Sequence, residues 1–130
     1  IIEISNKERP DIIYFNYPDA HADHRAVNKI VLEMLKDLTP KPEAYQFFIW
    51  TKELAKDRQE VDASQVPEIP SDVLRVDIKE ELDRKRKSLF AMRSQVGVWP
   101  YPDWQIQSAP ILDKKFLDYF LRGEEIFVKA

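Results

Sequence analysis

The feature that most constrains this chain is residues 11–27, Asp-Ile-Ile-Tyr-Phe-Asn-Tyr-Pro-Asp-Ala-His-Ala-Asp-His-Arg-Ala-Val, where an apolar run stops at a polar turn and restarts with a new period. Residues 12–17 are β-branched and aromatic with almost no alternation, the pattern of a strand covered on both faces in a parallel sheet. From Asp23 onward Val27, Ile30, Val31, Met34, Leu35 and Leu38 recur with helical spacing, which predicts a helix with one buried face. In open α/β sheets, ligand chemistry sits where a buried strand feeds a helix through a polar loop, because the strand's carboxyl end and the helix N-terminus converge there. Both histidines of the protein, His21 and His24, lie in that turn.

The rest of the chain continues the α/β theme. Thr39-Pro40-Lys41-Pro42 ends the helix, since proline cannot continue its hydrogen-bond ladder. Residues 44–50 read as the next strand, so strand, helix and strand follow in the order of a right-handed crossover and predict a mostly parallel sheet. Residues 51–71 are polar, carry Pro67 and Pro70, and read as a loop, either functional or a variable surface excursion. Residues 73–78 alternate enough for a short or edge strand.

A second helix is predicted over 79–96, with Ile78, Leu82, Lys85, Leu89, Met92 and Val96 along one face and Gly97 placed as a left-handed cap. Lys85 fits that face as a snorkelling side chain with a buried stem. Residues 98–110 are too proline-rich for regular structure yet carry Trp99, Tyr101 and Trp104, rings that stack on sugars or, more commonly, pack a loop onto its own domain. A short helix over 113–121, capped by Asp113 and stopped near Gly123, and a last strand at 126–128 complete the chain. Residues 1–8 are mixed, with Ile2 and Ile4 alternating as a strand end does, before Arg9-Pro10-Asp11 breaks the pattern.

Composition narrows the function classes. A chain of 130 residues, 44% hydrophobic and 33% charged, has the size and apolar content of one ordinary domain or a piece of one. Its net charge of -3, with both signs interspersed and no basic stripe, disfavours nucleic acid as a partner. No apolar run approaches the roughly 20 residues of a membrane span. The absence of cysteine removes disulfides and thiolate metal sites, leaving His and carboxylates as ligands, and a cytoplasmic location is the expectation. Two glycines in the whole chain leave no material for a Gly-rich phosphate loop.

At the start of a helix, His21 and His24 project from the same side, close enough to share one ligand or metal, with Asp19 and Asp23 beside them. An exposed pair that merely caps a helix has the same spacing, and Asp23 has an ordinary place near a helix N-terminus. The chemical reading is a hydrolase site: one imidazole binds a metal, and the other donates to a developing oxyanion or protonates a leaving amine. A catalytic zinc takes about three protein ligands and a water. With no further histidine and no cysteine, the remaining ligands have to be carboxylates brought from elsewhere.

Several separated blocks are similar to a known family: Arg9-Pro10-Asp11-Ile12-Ile13-Tyr14-Phe15, then His21-Ala22-Asp23-His24-Arg25-Ala26-Val27, then Trp50, then Val76-Asp77-Ile78 leading through Leu82-Asp83-Arg84-Lys85 to Arg93-Ser94-Gln95. In this order, over residues 9–96, they resemble the carboxyl-terminal half of the LmbE-like family, which contains zinc-dependent de-N-acetylases of N-acetylglucosaminyl compounds. The resemblance implies a Rossmann-like three-layer sandwich, here without its amino-terminal half, so that residues 1–130 form a single partial domain. It implies zinc as cofactor, His24 as a zinc ligand, His21 as the group that polarises the amide carbonyl and stabilises the oxyanion, and Asp23 as the residue that orients His21. The family's other ligands and its general base belong to an amino-terminal His-Pro-Asp-Asp-Glu block that is not in this sequence. Two positions depart from the pattern: Ala22 stands where the family usually has proline, and Met92 where many members have His or an aromatic residue.

The expected activity is therefore removal of an acetyl group from an N-acetylated amino sugar, with the isolated chain inactive. The sheet is expected to expose an apolar edge and to need a partner, either the amino-terminal half of the same protein or another chain, with a homo-oligomer as one form. The competing expectation is a non-catalytic sugar-binding or interaction module of the same fold.

Overall fold

The structure, a computed structural model, describes residues 1–56, 58, 61–93, 95–96 and 111–130. These fall into two compact units, Ile1–Arg75 with Ile126–Ala130, and Val76–Glu125. The elements run in the order α1 (Ile2–Glu8), β1 (Ile12–Asn16), α2 (Ala22–Asp37), β2 (Glu43–Phe47), α3 (Lys52–Ala55), β3 (Leu74–Asp77), α4 (Leu82–Ala91), α5 (Lys114–Phe120) and β4 (Glu124–Lys129), with single 3-10 turns at Ala63–Gln65 and Lys79–Glu81.

The strands make a four-stranded sheet in the order β1-β2-β4-β3, so the protein is α/β. The predicted crossover is present: β1 and β2 pair in parallel, with Ile12 opposite Glu43 and Asn16 opposite Phe47, and α2 connects them. The remaining pairings are antiparallel, so the sheet is mixed and not mostly parallel. The physical reason lies at the end of the chain. Only Leu121 to Gly123 separate α5 from β4, and β4 lies beside β2 in the opposite direction, with Phe47 facing Phe127 and Tyr45 facing Lys129. β3 occupies an edge, as its short alternating sequence predicts, and β1 occupies the other.

In the first unit the core forms between α2 and one face of the sheet. Phe15, Val31, Met34, Leu35, Leu38 and Ala44 are buried together, with Ile13 packed against them. The buried stripe of α2 differs from the expected one at its first turns. Val27 and Ile30 are exposed, and Asn28 is buried in their place. The face that meets the sheet therefore runs through positions 28, 31, 35 and 38, the i, i+3, i+4 line that continues back to His24.

β1 alternates in burial despite its unbroken apolar sequence. Phe15 is buried, whereas Ile12 and Tyr14 are 44% and 56% exposed, so the strand is not covered on both faces. On that second face Tyr14 stacks on Tyr45, with ring centroids 5.8 Å apart, and meets Phe127 at 5.4 Å. Three aromatic side chains thus line one face across β1, β2 and β4, the cross-strand pairing that large flat rings favour.

Residues 1–8 form a helix where the sequence pattern pointed to a strand end. The helix closes at Arg9, whose φ of 46° and ψ of 59° put a non-glycine residue in the left-handed region, and the Arg9 N–H bonds back to the Ser5 carbonyl. The long polar loop contains α3, whose N-cap Thr51 accepts from the Leu54 N–H, and it buries Leu54, Ala55 and Val66.

In the second unit the predicted helix over 79–96 resolves into a 3-10 turn followed by the shorter α4. Its half-buried side chains are Leu82, Lys85 and Leu89, with Ile78 just ahead, as the spacing predicts, while Met92 is exposed. Lys85 pairs with Glu125 at 2.8 Å and places its ammonium 5.9 Å from the centre of the Phe120 ring, so its stem is covered and its charge is answered. Asp113 caps α5 as predicted, accepting from the Phe116 N–H at 2.8 Å. The expected cap at Gly97 and the aromatic loop with Trp99, Tyr101 and Trp104 lie outside the described residues. Among the described residues no helix is long and apolar enough to cross a membrane.

Candidate functional site

The turn between β1 and α2 is built around Asp19, a carboxylate that is 2% exposed. A buried carboxylate is tolerable only when its lone pairs are filled, and here every donor is identifiable. One oxygen, Oδ1, accepts from the His21 N–H at 2.8 Å, and Oδ2 accepts from the Trp50 N–H at 3.1 Å. His24 Nδ1 lies within 2.9 and 2.8 Å of the two oxygens. The backbone carbonyl of Asp19 accepts from Arg25 Nη1 at 2.8 Å, which fastens the same residue to the first turn of α2. Since Trp50 follows β2, Asp19 ties the segments beyond the carboxyl ends of both parallel strands to one another, which is where the α/β rule places a ligand.

His21 is the N-cap of α2. Its backbone is extended, and its Nδ1 accepts from the Asp23 N–H at 3.2 Å, which satisfies one of the helix's free N-terminal donors. His24 sits one turn further on, with its side chain only 20% exposed, and the two rings have centroids 4.7 Å apart. The structure therefore brings together both predicted histidines. The Asp23 carboxylate stands apart: it is 3.9 Å from His21 Nδ1 and strongly exposed, and the bond that orients His21 comes from the Asp23 backbone.

Two consequences follow for the chemistry. A carboxylate only accepts, so in the neutral imidazole His24 Nδ1 carries the proton and Nε2 keeps its lone pair, available to act as a ligand or base. His21 is the reverse. Its Nδ1 accepts from a backbone N–H, so its proton is on Nε2 and that nitrogen is a donor. Side by side, the turn offers one acceptor and one donor imidazole.

A buried amide holds the turn in place from below. Asn28 Nδ2 donates to the Asn16 carbonyl at the end of β1, at 2.8 Å, and to Gln46 Oε1 on β2, at 2.6 Å. Asn28 lies one turn after His24 on the same face of α2, so this bridge fixes the rotation of the helix against both strands. Asn28 is the residue of the site that sequence reasoning does not single out; Asp19 is placed beside the histidines by the sequence, but not as the partner of His24. The signal for Asn28 was present, as a polar residue on the line of His24, Val31 and Leu35.

A metal fits this donor set in part. Among the described residues, no group of three or more His, Asp or Glu lies close enough to hold a metal ion. His24 nonetheless has the arrangement of a metal-binding histidine, with one ring nitrogen bonded to a carboxylate and the other open. Compared with protein-family models, curated proteins and solved structures, the chain matches none.

Proposed function

We propose that this chain is the carboxyl-terminal part of a zinc-dependent de-N-acetylase of the LmbE-like kind, with a Rossmann-like three-layer fold, acting on an N-acetylated amino sugar. The observation that carries the reading is the pair of opposite Nδ1 partners at two adjacent imidazoles, a buried carboxylate at His24 and a donating backbone N–H at His21. Amide hydrolysis needs both roles. A zinc ion, when bound, supplies a water of lowered pKa as nucleophile. His24 Nε2 is the ligand this chain contributes, and the other ligands and the general base have to come from outside the described residues. His21 directs its Nε2–H at the amide oxygen, where negative charge develops as the carbonyl carbon becomes tetrahedral. Acetate and a free amine are the products.

The test uses the open reading frame in which these residues lie, expressed from its own start codon. Zinc is measured by mass spectrometry, and acetate release from N-acetylglucosamine-type substrates is followed. The expected result is about one zinc per complete site, lost in His24→Ala, and acetate release that is lost in both His24→Ala and His21→Ala while the latter retains metal. A protein that holds no zinc and releases no acetate overturns the enzyme reading in favour of a sugar-binding or interaction module.

A further inference from the structure

We propose that Asp19 is the positioning residue of this site: its carboxylate selects the Nδ1–H form of His24 and thereby makes Nε2 the nitrogen that meets a divalent cation. The inference deepens the zinc reading of His24 and rests on it for the identity of the cation, although the choice of tautomer stands on geometry alone.

An unconstrained imidazole places its proton on either nitrogen, and only the unprotonated one binds a metal. In this turn the choice is removed. Both oxygens of Asp19 lie within hydrogen-bond distance of His24 Nδ1, so rotation of the carboxyl group in either direction keeps an acceptor there. The carboxylate is itself held by the N–H groups of His21 and Trp50, one on each oxygen, and is shielded from water. Asp19 therefore links the backbone of His21, the ring of His24 and the segment after β2. By contrast, the exposed Asp23 carboxylate makes no hydrogen bond to either ring, so Asp23 serves as the control.

Asp19→Asn keeps the shape and changes the chemistry. The amide has one oxygen where two were used, and its NH2 group faces donors. If that group turns to His24, it donates to Nδ1 and drives the proton to Nε2, which closes the ligand nitrogen. If it turns away, it meets a backbone N–H.

The experiment is two-bond 1H–15N correlation on the 15N-histidine-labelled 130-residue protein without metal, above the imidazole titration range, followed by addition of zinc chloride. In the parent protein His24 is expected in the Nδ1–H form and His21 in the Nε2–H form. In Asp19→Asn the His24 pattern shifts toward Nε2–H, and zinc has to be raised about 10–100-fold to give the same change at His24; Asp23→Asn leaves both unchanged. A parent His24 in the Nε2–H form overturns the proposal without recourse to any variant, and so does an Asp19→Asn protein that folds and keeps the Nδ1–H form with unchanged zinc response. If the tautomers are as expected and the protein expressed from its own start codon holds no zinc, the positioning role of Asp19 stands and the zinc reading fails.

Discussion

Asn28 offers the sharpest test of how this fold holds its site. Its amide is buried, 6% exposed, and bridges a backbone carbonyl of β1 and the side chain of Gln46 on β2, which is 8% exposed. In Asn28→Leu the number and branching of side-chain heavy atoms are kept and both acceptors lose the Asn28 donor. Two orphaned buried acceptors cost about 2–6 kcal/mol together. Burying a leucine returns about 1.5–3 kcal/mol of that. At mid-range the net expectation is a loss of about 2 kcal/mol, which with a urea dependence of about 2 kcal/mol per molar moves the unfolding midpoint down by roughly 1 M. The assay is urea unfolding of the 130-residue chain followed by tryptophan fluorescence and far-UV circular dichroism. A companion Gln46→Leu in the same chain removes one of the two orphans, so the double variant should recover at least about 1 kcal/mol relative to the sum of the single changes. An Asn28→Leu protein as stable as the parent, or strict additivity of the pair, refutes the account of the bridge.

Three further outcomes are expected. Phe15→Ala empties the centre of the cluster formed with Val31, Leu35 and Ala44 and should lower stability by about 3–5 kcal/mol in the same assay, the range for a buried aromatic truncation; a loss under ~1 kcal/mol places the core elsewhere. Asp62 accepts from the Ser64 N–H, the Ser64 hydroxyl and the Gln65 side chain, and these bonds hold its carboxyl below the ordinary aspartate value. Its stabilising bonds are thus present above the unfolded-state value and disappear as pH falls through the lowered folded value, so the Ser64 amide shift should titrate with a midpoint below that of a free aspartate; a midpoint at or above it contradicts the capping geometry. Finally, β1 is an edge strand that exposes Ile12 and Tyr14, a surface on which chains pair. Sedimentation should show association of the parent chain that is relieved by Ile12→Lys with Tyr14→Lys, and a monomeric parent refutes this.

Much of the fold was readable because the decisive signals are local. The apolar run at 12–17 and the helical period from 23 to 38 locate β1 and α2 to within a residue or two, and the prolines at 40 and 42 end the helix where expected. Asp113 reads as a cap and acts as one. What was not readable depends on contacts between distant segments. Strand direction is not written in strand composition, and Glu124–Lys129 gives no sign that it runs against β2. Nor does an apolar strand reveal which of its faces is covered, as Ile12 and Tyr14 demonstrate. The α1 helix was missed because two alternating isoleucines in eight residues fit a strand as well as a helix.

The site divides along the same line. That His21 and His24 share one side of a helix start follows from their spacing, but which nitrogen each presents does not, because that is decided by partners elsewhere. For His21 the partner is a backbone N–H two residues on, available only because the histidine occupies the N-cap. For His24 it is Asp19, five residues back across the turn and buried by the segment that carries Trp50. Two chemically identical side chains one turn apart thus acquire opposite hydrogen-bonding partners, one through helix capping and one from a buried carboxylate. The arrangement depends on α2 keeping its rotation against β1 and β2. A rotation that released Asn28 would move His24 away from Asp19 and leave a charged carboxylate buried without its imidazole. The polar chain from Gln46 through Asn28 to the β1 terminus, together with the chain from Trp50 through Asp19 to His24, therefore ties the packing of α2 on the sheet to the hydrogen-bond geometry of the two imidazoles.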